Sequence, residues 1–515
     1  MAKNSRTRYI FVTGGVVSSL GKGVAAATLG ALLQSRGYGV HTRKLEAYLN
    51  IDCKTMSPLR HGEVYVTADG GEADLDLGYY ERFLGIKMSR NDSVSTGRVY
   101  WEVLNAERRG EYNGRDVQLI PHVSDHIKKY IKWDEAASGP APDFIFYEIG
   151  GTVGDIEGLI ILEAARQFAN EVGRKNAMFV HLTLAPFIET ANELKTKPTQ
   201  QSVRILLEKG ILADMLIVRT PRMLDTEERE KIALFCNLSP EFVISGMDMD
   251  SIYKIPLAYE AQGVTQRILE HFGLDASAPG DLSKFQKIAD YLATSPLAIG
   301  IAVVGRYFQI TDAYKSLSEA LFHAGIANNI RVNIRKIDAE GLEKMTAAQI
   351  KETFDGANGI LVPGGSDSKM VATKFARENN IPYLGINAGL QIATTEFMQN
   401  VCGVNDVDSD AGGNLRLGAY PCVLTPGTLA AKVYGKTEIS ERHRHRYELN
   451  IKHKDILEKN GMIISGMSLD GCLPEIVEIP AHPFFVAVQF NPEFQSSPYT
   501  SHPLFAAFIK ATASQ

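Results

Sequence analysis

The sequence predicts a two-domain α/β protein built on parallel sheets, and three observations carry that expectation. Apolar runs of strand length alternate with stretches of helical periodicity, in two separate series. Each series opens on a strand, a glycine turn and a helix: YIFVTGG before KGVAAATLGALLQSRG, and LAIGIAVVG before AYKSLSEALFHAG. The chain has 515 residues, more than one hydrophobic core usually organises.

Taken in order, residues 8–13 form an apolar strand that ends in glycine, and a helix follows it. Further strands are expected in DFIFYEIGG (143–151), AMFVHLTLAP (177–186) and DMLIVRT (214–220), with helical stretches between them. Residues 272–296 are polar and turn-rich and read as a linker carrying one helix. The second series begins at 297–305 and continues through VNIRKID, GILVPGG and IPYLGI. The expected domains are therefore 1–272 and 297–515, joined by 273–296. No internal repeat or low-complexity segment is present.

Hydrophobic content of 45% and charged content of 22% are those of an ordinary globular chain. A net charge of −6 gives no reason to expect nucleic acid or an anionic membrane as partner. The five cysteines, Cys53, Cys236, Cys402, Cys422 and Cys472, show no metal or disulfide spacing, which suggests a reducing compartment. MAKNSRTRYIFVTGG enters a strand directly, so neither a signal peptide nor a membrane span is expected there. The expected location is cytoplasmic.

TGGVVSSLGKG (13–23) lies between the first strand and helix. Its glycines let the backbone curl around a phosphate, with Lys22 adding positive charge. The first glycine is one residue too distant for a strict P-loop, and Gly23 stands where Ser or Thr is usual. A glycine-rich turn with an exposed lysine fits the same residues. Asp76, in the acidic stretch ADGGEADLDLG, and Glu148, at the end of the apolar run FIFYEIGG, are candidate Mg²⁺ ligands. KTKPTQQS offers Lys195, Lys197, Thr199, Gln200 and Ser202 within eight residues, suited to a second phosphate chain or to ring carbonyls. A solvated basic turn is its plain alternative. Together the three features suggest ATP and a second polyanionic substrate.

YIFVTGGVVSSLGKG, LNIDCKTMSPLRHGEVYVTADGGEADLDLG, YEIGGTVGDIEG, KTKPTQ, KIALFCN and DSIYKIP together resemble the CTP synthase family. RENNIPYLGI, RLGAYPC, ERHRHRYE and HPFFVAVQFNPEF extend the resemblance, which runs from residue 8 to 512. It implies a dethiobiotin-synthetase-like amidoligase domain followed by a class I glutamine amidotransferase-like domain. It also implies ATP-dependent phosphorylation of the 4-oxygen of UTP, followed by displacement of the phosphate by ammonia. By this resemblance Ser19, Leu20, Gly21, Lys22 and Gly23 hold ATP, Lys44 assists phosphoryl transfer, and Asp76 and Glu148 hold Mg²⁺. Ser18, Asp155, Glu157, Lys195, Lys197, Thr199, Gln200 and Lys231 line the pyrimidine-nucleotide site. A homotetramer is implied as well, with filaments as its further assembly.

The second domain departs from that pattern. The elbow YLGINAGLQIA (383–393) has Asn387 where the family's glutaminase carries its cysteine, and QFNPEF has Asn491 at the histidine position. Glu493 alone remains of the triad. An amide neither forms a thioester nor accepts a proton at neutral pH. The loop SDSKM (366–370) replaces a phenylalanine–glycine turn tied to the oxyanion hole and to GTP activation, and the segment NVCGVNDVDSDAGGNLRLG is short. Arg446 is kept at a glutamine-binding position. The expectation is a pseudo-glutaminase without glutamine hydrolysis or a GTP response.

Changes also fall where the family's ammonia arrives. Glu46–Ala47 replace aspartate–proline, Cys53–Lys54 replace proline–glycine, Arg60 replaces glutamine and Gln201 a histidine, while Pro58, His61 and Val64 are kept. Two readings stand. One is drift after loss of channelling. The other is recognition of a carboxylate on an alternative amine by Lys54 and Arg60. The expected reaction uses free ammonia or a small amine; a silent regulator of an active synthase is the alternative.

Overall fold

The structure is a computed structural model that describes residues 7–57, 61–294, 297–306, 311–364, 367–404 and 410–514. It divides into two compact units, residues 1–55 with 79–289 and residues 56–78 with 290–515. Among the described residues no helix is long and apolar enough to cross a membrane.

The first unit is built on seven strands: β1 (Arg8–Gly14), β2 (Val40–Glu46), β3 (Ser93–Ser95), β4 (Phe144–Ile149), β5 (Ala177–Leu184), β6 (Met215–Thr220) and β7 (Val243–Met247). They lie in the order β7-β6-β5-β1-β4-β2-β3, and every pairing is parallel. Such strands are buried on both faces, which is why they read as unbroken apolar runs rather than alternating ones. Phe11 of β1 stacks on Tyr147 of β4 and Phe179 of β5, with ring centroids 5.5 and 5.0 Å apart. Helix α1 (Lys22–Ser35) is rich in alanine and buried along most of its length, as expected of a helix without a polar face.

Register decides what meets at the carboxyl edge of this sheet. Thr13 lies opposite His181, and Glu148 lies opposite both Val12 and Lys44. Open parallel sheets bind ligands along this edge.

The second unit contains β8 (Ala298–Gly305), β9 (Arg331–Asp338), β10 (Gly359–Pro363), β11 (Tyr383–Ile386), β12 (Asp410–Leu424), β13 (Glu438–Glu448), β14 (Ile463–Ser468), β15 (Pro474–Glu478) and β16 (Phe485–Val488). The order is β9-β8-β10-β11-β16-β15-β14-β12-β13. Pairings from β9 to β16 are parallel, and those from β16 to β13 antiparallel. Leu317, Leu321, Phe484, Phe505 and Phe508 share one of its cores.

Residues 56–78, placed with the first domain by sequence, pack with the second unit. Their hairpin, Tyr65–Val66 against Glu72–Ala73, is anchored by the buried Arg442, whose Nη1 donates to Tyr65 Oη at 3.0 Å and Val66 O at 2.9 Å. The Ala419 N–H donates to Ala68 O at 2.8 Å. A Cβ on Gly418 would lie 2.7 Å from Gly70 N, so the two backbones touch there. At the other boundary, the first unit extends to Ala289. Phe285 and Ile288 of the helix Ser283–Ala293 are buried, and Phe285 packs near Phe83.

Candidate active site

In the first unit, the loop between β1 and α1 is shaped by residues held at positive φ. Val16 has φ 75°, Ser19 φ 60° and Gly21, the N-cap of α1, φ 84°. A β-branched residue in this region is strained and persists only where the surroundings fix it. A Cβ on Gly14 would meet Lys22 Cδ at 2.9 Å. The Lys22 stem therefore folds back across the loop, and its Nζ donates to Gly151 O at 2.9 Å.

Lys44, Glu46 and Glu148 form a buried ionic cluster beside it. Lys44 Nζ lies 3.1 Å from Glu46 Oε1 and 3.8 Å from Glu148 Oε1, and Tyr80 Oη donates to Glu148 Oε2. Two carboxylates and one ammonium thus meet in this cluster. Among the described residues no three metal-ligating side chains converge. Asp76 begins the helix Asp76–Leu84 and its N–H bonds Asp74 Oδ1 at 3.0 Å; it belongs to the second unit and Glu148 to the first.

The remaining candidates divide into exposed and inward groups. Ser18, Asp155, Glu157, Lys195, Lys197 and Lys231 are exposed, with Lys195 paired to Glu193. Thr199 points inward: its hydroxyl bonds Thr183 Oγ1 and Leu184 O, both at 3.1 Å, and fastens helix α2 (Lys197–Glu208) to β5. Gln200 is half-buried and donates to Thr196 Oγ1 at 3.2 Å. Lys197, Gln200 and Gln201 reach a cavity of about 500 Å³ that Phe235 and Asn237, at the end of helix α3 (Thr226–Cys236), complete. A smaller cavity of about 230 Å³ beside the loop is lined by Ser18, Ser19, Leu20, Arg219 and Asp248. Arg219 and Asp248 were missed in the sequence. They form an ion pair, and Arg219 Nη1 also donates to Leu20 O at 3.3 Å. The available signal was an arginine closing the apolar run MLIVRT.

In the second unit, β11 turns sharply into helix α4 (Ala388–Asn400) with Asn387 at the tip, φ 59° and ψ −119°. The turn is tight on both sides: a Cβ on Gly385 would lie 2.8 Å from Gly389 O, and one on Gly389 2.3 Å from Val362 O. Asn387 Nδ2 donates to Asn491 Oδ1 and to Arg444 O, both at 3.0 Å, and Asn491 Nδ2 donates to Glu493 Oε1 at 2.9 Å. The Glu493 carboxyl is pushed up to about 7 by burial, and its Oε2 is buried with no hydrogen-bond partner.

These residues open into a cavity of about 460 Å³, also lined by Glu63, Val64, Arg306, Lys369 and Arg444. Lys369 is buried and donates to Pro363 O at 2.6 Å; burial, then the nearby Arg306 charge, pushes its ammonium down to about 8. Arg446 is exposed and does not line this cavity. Lys54 is exposed in the first unit and His61 in the second. Pro58, Arg60 and Ser366 lie outside the described residues.

Residues 8–274 match the family model for the CTP synthase N-terminus, and residues 309–511 that for class I glutamine amidotransferases. The CTP synthase of Azospirillum brasilense is 51% identical to this chain over 547 residues, covering 99% of each chain. That of Paramagnetospirillum magneticum is 50% identical over 544 residues, again covering 99% of each. Both alignments are longer than the 515 residues of this chain, so each relative contains residues that this chain lacks. Among solved structures, the glutaminase domain of Trypanosoma brucei CTPS with bound acivicin is 35% identical, with a TM-score of 0.40, covering 42% of this chain and 94% of that one. Two family models in tandem and half-identity over the full length lead to one conclusion: the chain belongs to the CTP synthase family.

Proposed function

We propose that this protein uses ATP to phosphorylate the 4-oxygen of UTP and replaces that oxygen with nitrogen from free ammonia or a small amine, without hydrolysing glutamine. The observation that carries the nitrogen source is the amide chain Asn387–Asn491–Glu493. Glutamine hydrolysis by this fold needs a thiolate to attack and an imidazole to move the proton. Two amides that satisfy each other can do neither. The shorter chain, relative to the two synthases, supports the same reading.

The synthetase chemistry is assigned to the carboxyl edge of the first sheet. The loop 18–23 and Lys22 hold the ATP phosphates at the N-terminus of α1. Lys44 offsets charge on the phosphoryl group in flight, and Glu148 and Asp76 are the carboxylates assigned to Mg²⁺, which would supply charge neutralisation to the phosphates. Ser18, Asp155, Glu157, Lys195, Lys197, Gln200 and Lys231 recognise the pyrimidine nucleotide. Thr199 supports them by fixing α2 rather than by touching the ligand. Phosphorylation converts an amide-like oxygen into a leaving group; the amine attacks C4, loses a proton and expels phosphate. A homotetramer is part of this reading.

The test supplies ATP, Mg²⁺ and UTP with glutamine, ammonium, or a panel of amines and amino acids in turn, and follows ADP release and product mass. The expected result is turnover with ammonium or an amine and none with glutamine alone. Glutamine-supported turnover would overturn the nitrogen assignment. Absence of ADP with every donor would favour a catalytically silent regulator. A product heavier than CTP by the donor's substituent would identify an N4-substituted cytidine nucleotide.

A further inference from the structure

His181 is out of character with its strand. AMFVHLTL is otherwise apolar apart from one threonine, and a polar ring in such a strand is costly unless its nitrogens are satisfied. Both are. Nδ1 lies 2.8 Å from Thr13 Oγ1, and Nε2 lies 2.8 Å from Ser202 Oγ. All three side chains are buried. Thr13 is the penultimate residue of β1, just before the phosphate loop, and Ser202 sits in the second turn of α2, beyond Lys197 and Gln200.

Burial, and secondarily the charge of Lys22, pushes the ring down to about 3, so it is neutral and has one N–H. The alternative acceptor for Thr13 is Val180 O, at a marginal 3.5 Å. Which ring nitrogen carries that N–H sets donor and acceptor along the chain, and with either tautomer the three side chains are joined. The chain ends against Gly15, where a Cβ would lie 1.8 Å from Ser202 Oγ and 3.3 Å from His181 Cε1. The Gly15 N–H donates to Leu182 O at 3.0 Å, on the strand that carries His181. The turn of the loop is thus seated on β5 and α2 together.

We propose that Thr13, His181 and Ser202 form a positioning relay that locks the Gly15 turn of the phosphate loop to the first turns of α2, so that the ATP loop and the pyrimidine-nucleotide helix are set as one body. The inference rests on the assignment of ATP to the loop and UTP to α2 made above. It assigns none of the three to contact with substrate. Their effect is transmitted through Gly15 on one side and through Lys197 and Gln200 on the other. A purely structural polar chain would hold the fold without linking the two ligands.

The test is binding calorimetry on the full chain with UTP, with and without a non-hydrolysable ATP analogue, alongside thermal unfolding. Wild-type protein should bind UTP more tightly when the analogue is present. Ser202→Ala and Thr13→Val should each weaken that enhancement by about fivefold or more, the low end of ordinary site–site coupling. Thr13→Ser, which keeps the hydroxyl, should restore it. Variants that melt earlier yet retain the full enhancement would overturn the relay, as would wild-type protein that binds both nucleotides independently. Failure of wild-type protein to bind either nucleotide would instead remove the site assignment itself, and the relay with it.

Discussion

Asn387 and Asn491, 104 residues apart in the chain, are joined by an amide–amide hydrogen bond of 3.0 Å. Asn491 passes the chain on to Glu493 at 2.9 Å. The elbow and its following helix thus bring two amides and a carboxyl into one hydrogen-bonded chain.

The geometry predicts that the double variant Asn387→Cys, Asn491→His reacts covalently with a glutamine-mimicking electrophile at position 387. Intact-mass spectrometry should show one adduct per chain in the double variant and none in wild-type protein. An unlabelled double variant would mean that the elbow no longer presents its side chain to the cavity.

Glu493 predicts a pH-dependent stability difference. Its folded value of about 7 stands above the ordinary 4.5, so between those values the folded state holds a proton that the unfolded state has lost. Its contribution to stability is therefore full below about pH 4.5 and is lost as pH rises through 7. Glu493→Gln should raise the melting temperature relative to wild-type protein at pH 8 and change it little at pH 4.5. An equal difference at both pH values would contradict the raised value.

The Lys44 ammonium faces both Glu46 and Glu148. Lys44→Ala should lower kcat for ADP release by about a hundredfold or more, the usual cost of a lost charge-stabilising donor. Near-normal turnover would remove Lys44 from the phosphoryl step.

Gly389 has backbone where a side chain would go, since a Cβ there meets Val362 O at 2.3 Å. Gly389→Ala should destabilise the second unit by about 1–3 kcal/mol through overpacking, read as a lower melting temperature. An unchanged melting temperature would show that β10 yields to the added methyl.

The parallel strands and the helices after them were legible because apolar runs bounded by glycine leave few alternatives. YIFVTG, FIFYEI and MLIVRT each became a strand in the first sheet. The elbow at Asn387 was legible for the same reason: small residues on both sides of one polar tip. Residues 56–78 were not, because their hold on the second unit is made of backbone contacts such as that of Gly70 with Gly418 and of side-chain bonds such as Arg442 to Tyr65, Arg444 to Glu72 and Ser316 to Glu63, none of which makes a periodic pattern. The inward direction of the Thr199 hydroxyl was not legible either, because spacing alone does not tell the inner face of a short basic turn from the outer. His181 and the Arg219–Asp248 pair depend on strand register and loop closure, which arise only when distant strands align.

The asparagine at the elbow also bears on oxidative damage. A nucleophilic thiolate at such a turn is the group most open to sulfenic and further oxidation. This chain has no thiol at that position. Cys53, Cys236 and Cys422 are buried, and burial pushes the Cys236 thiol up to about 11 and that of Cys422 higher still. Peroxide therefore has no thiolate to attack at the second unit's elbow.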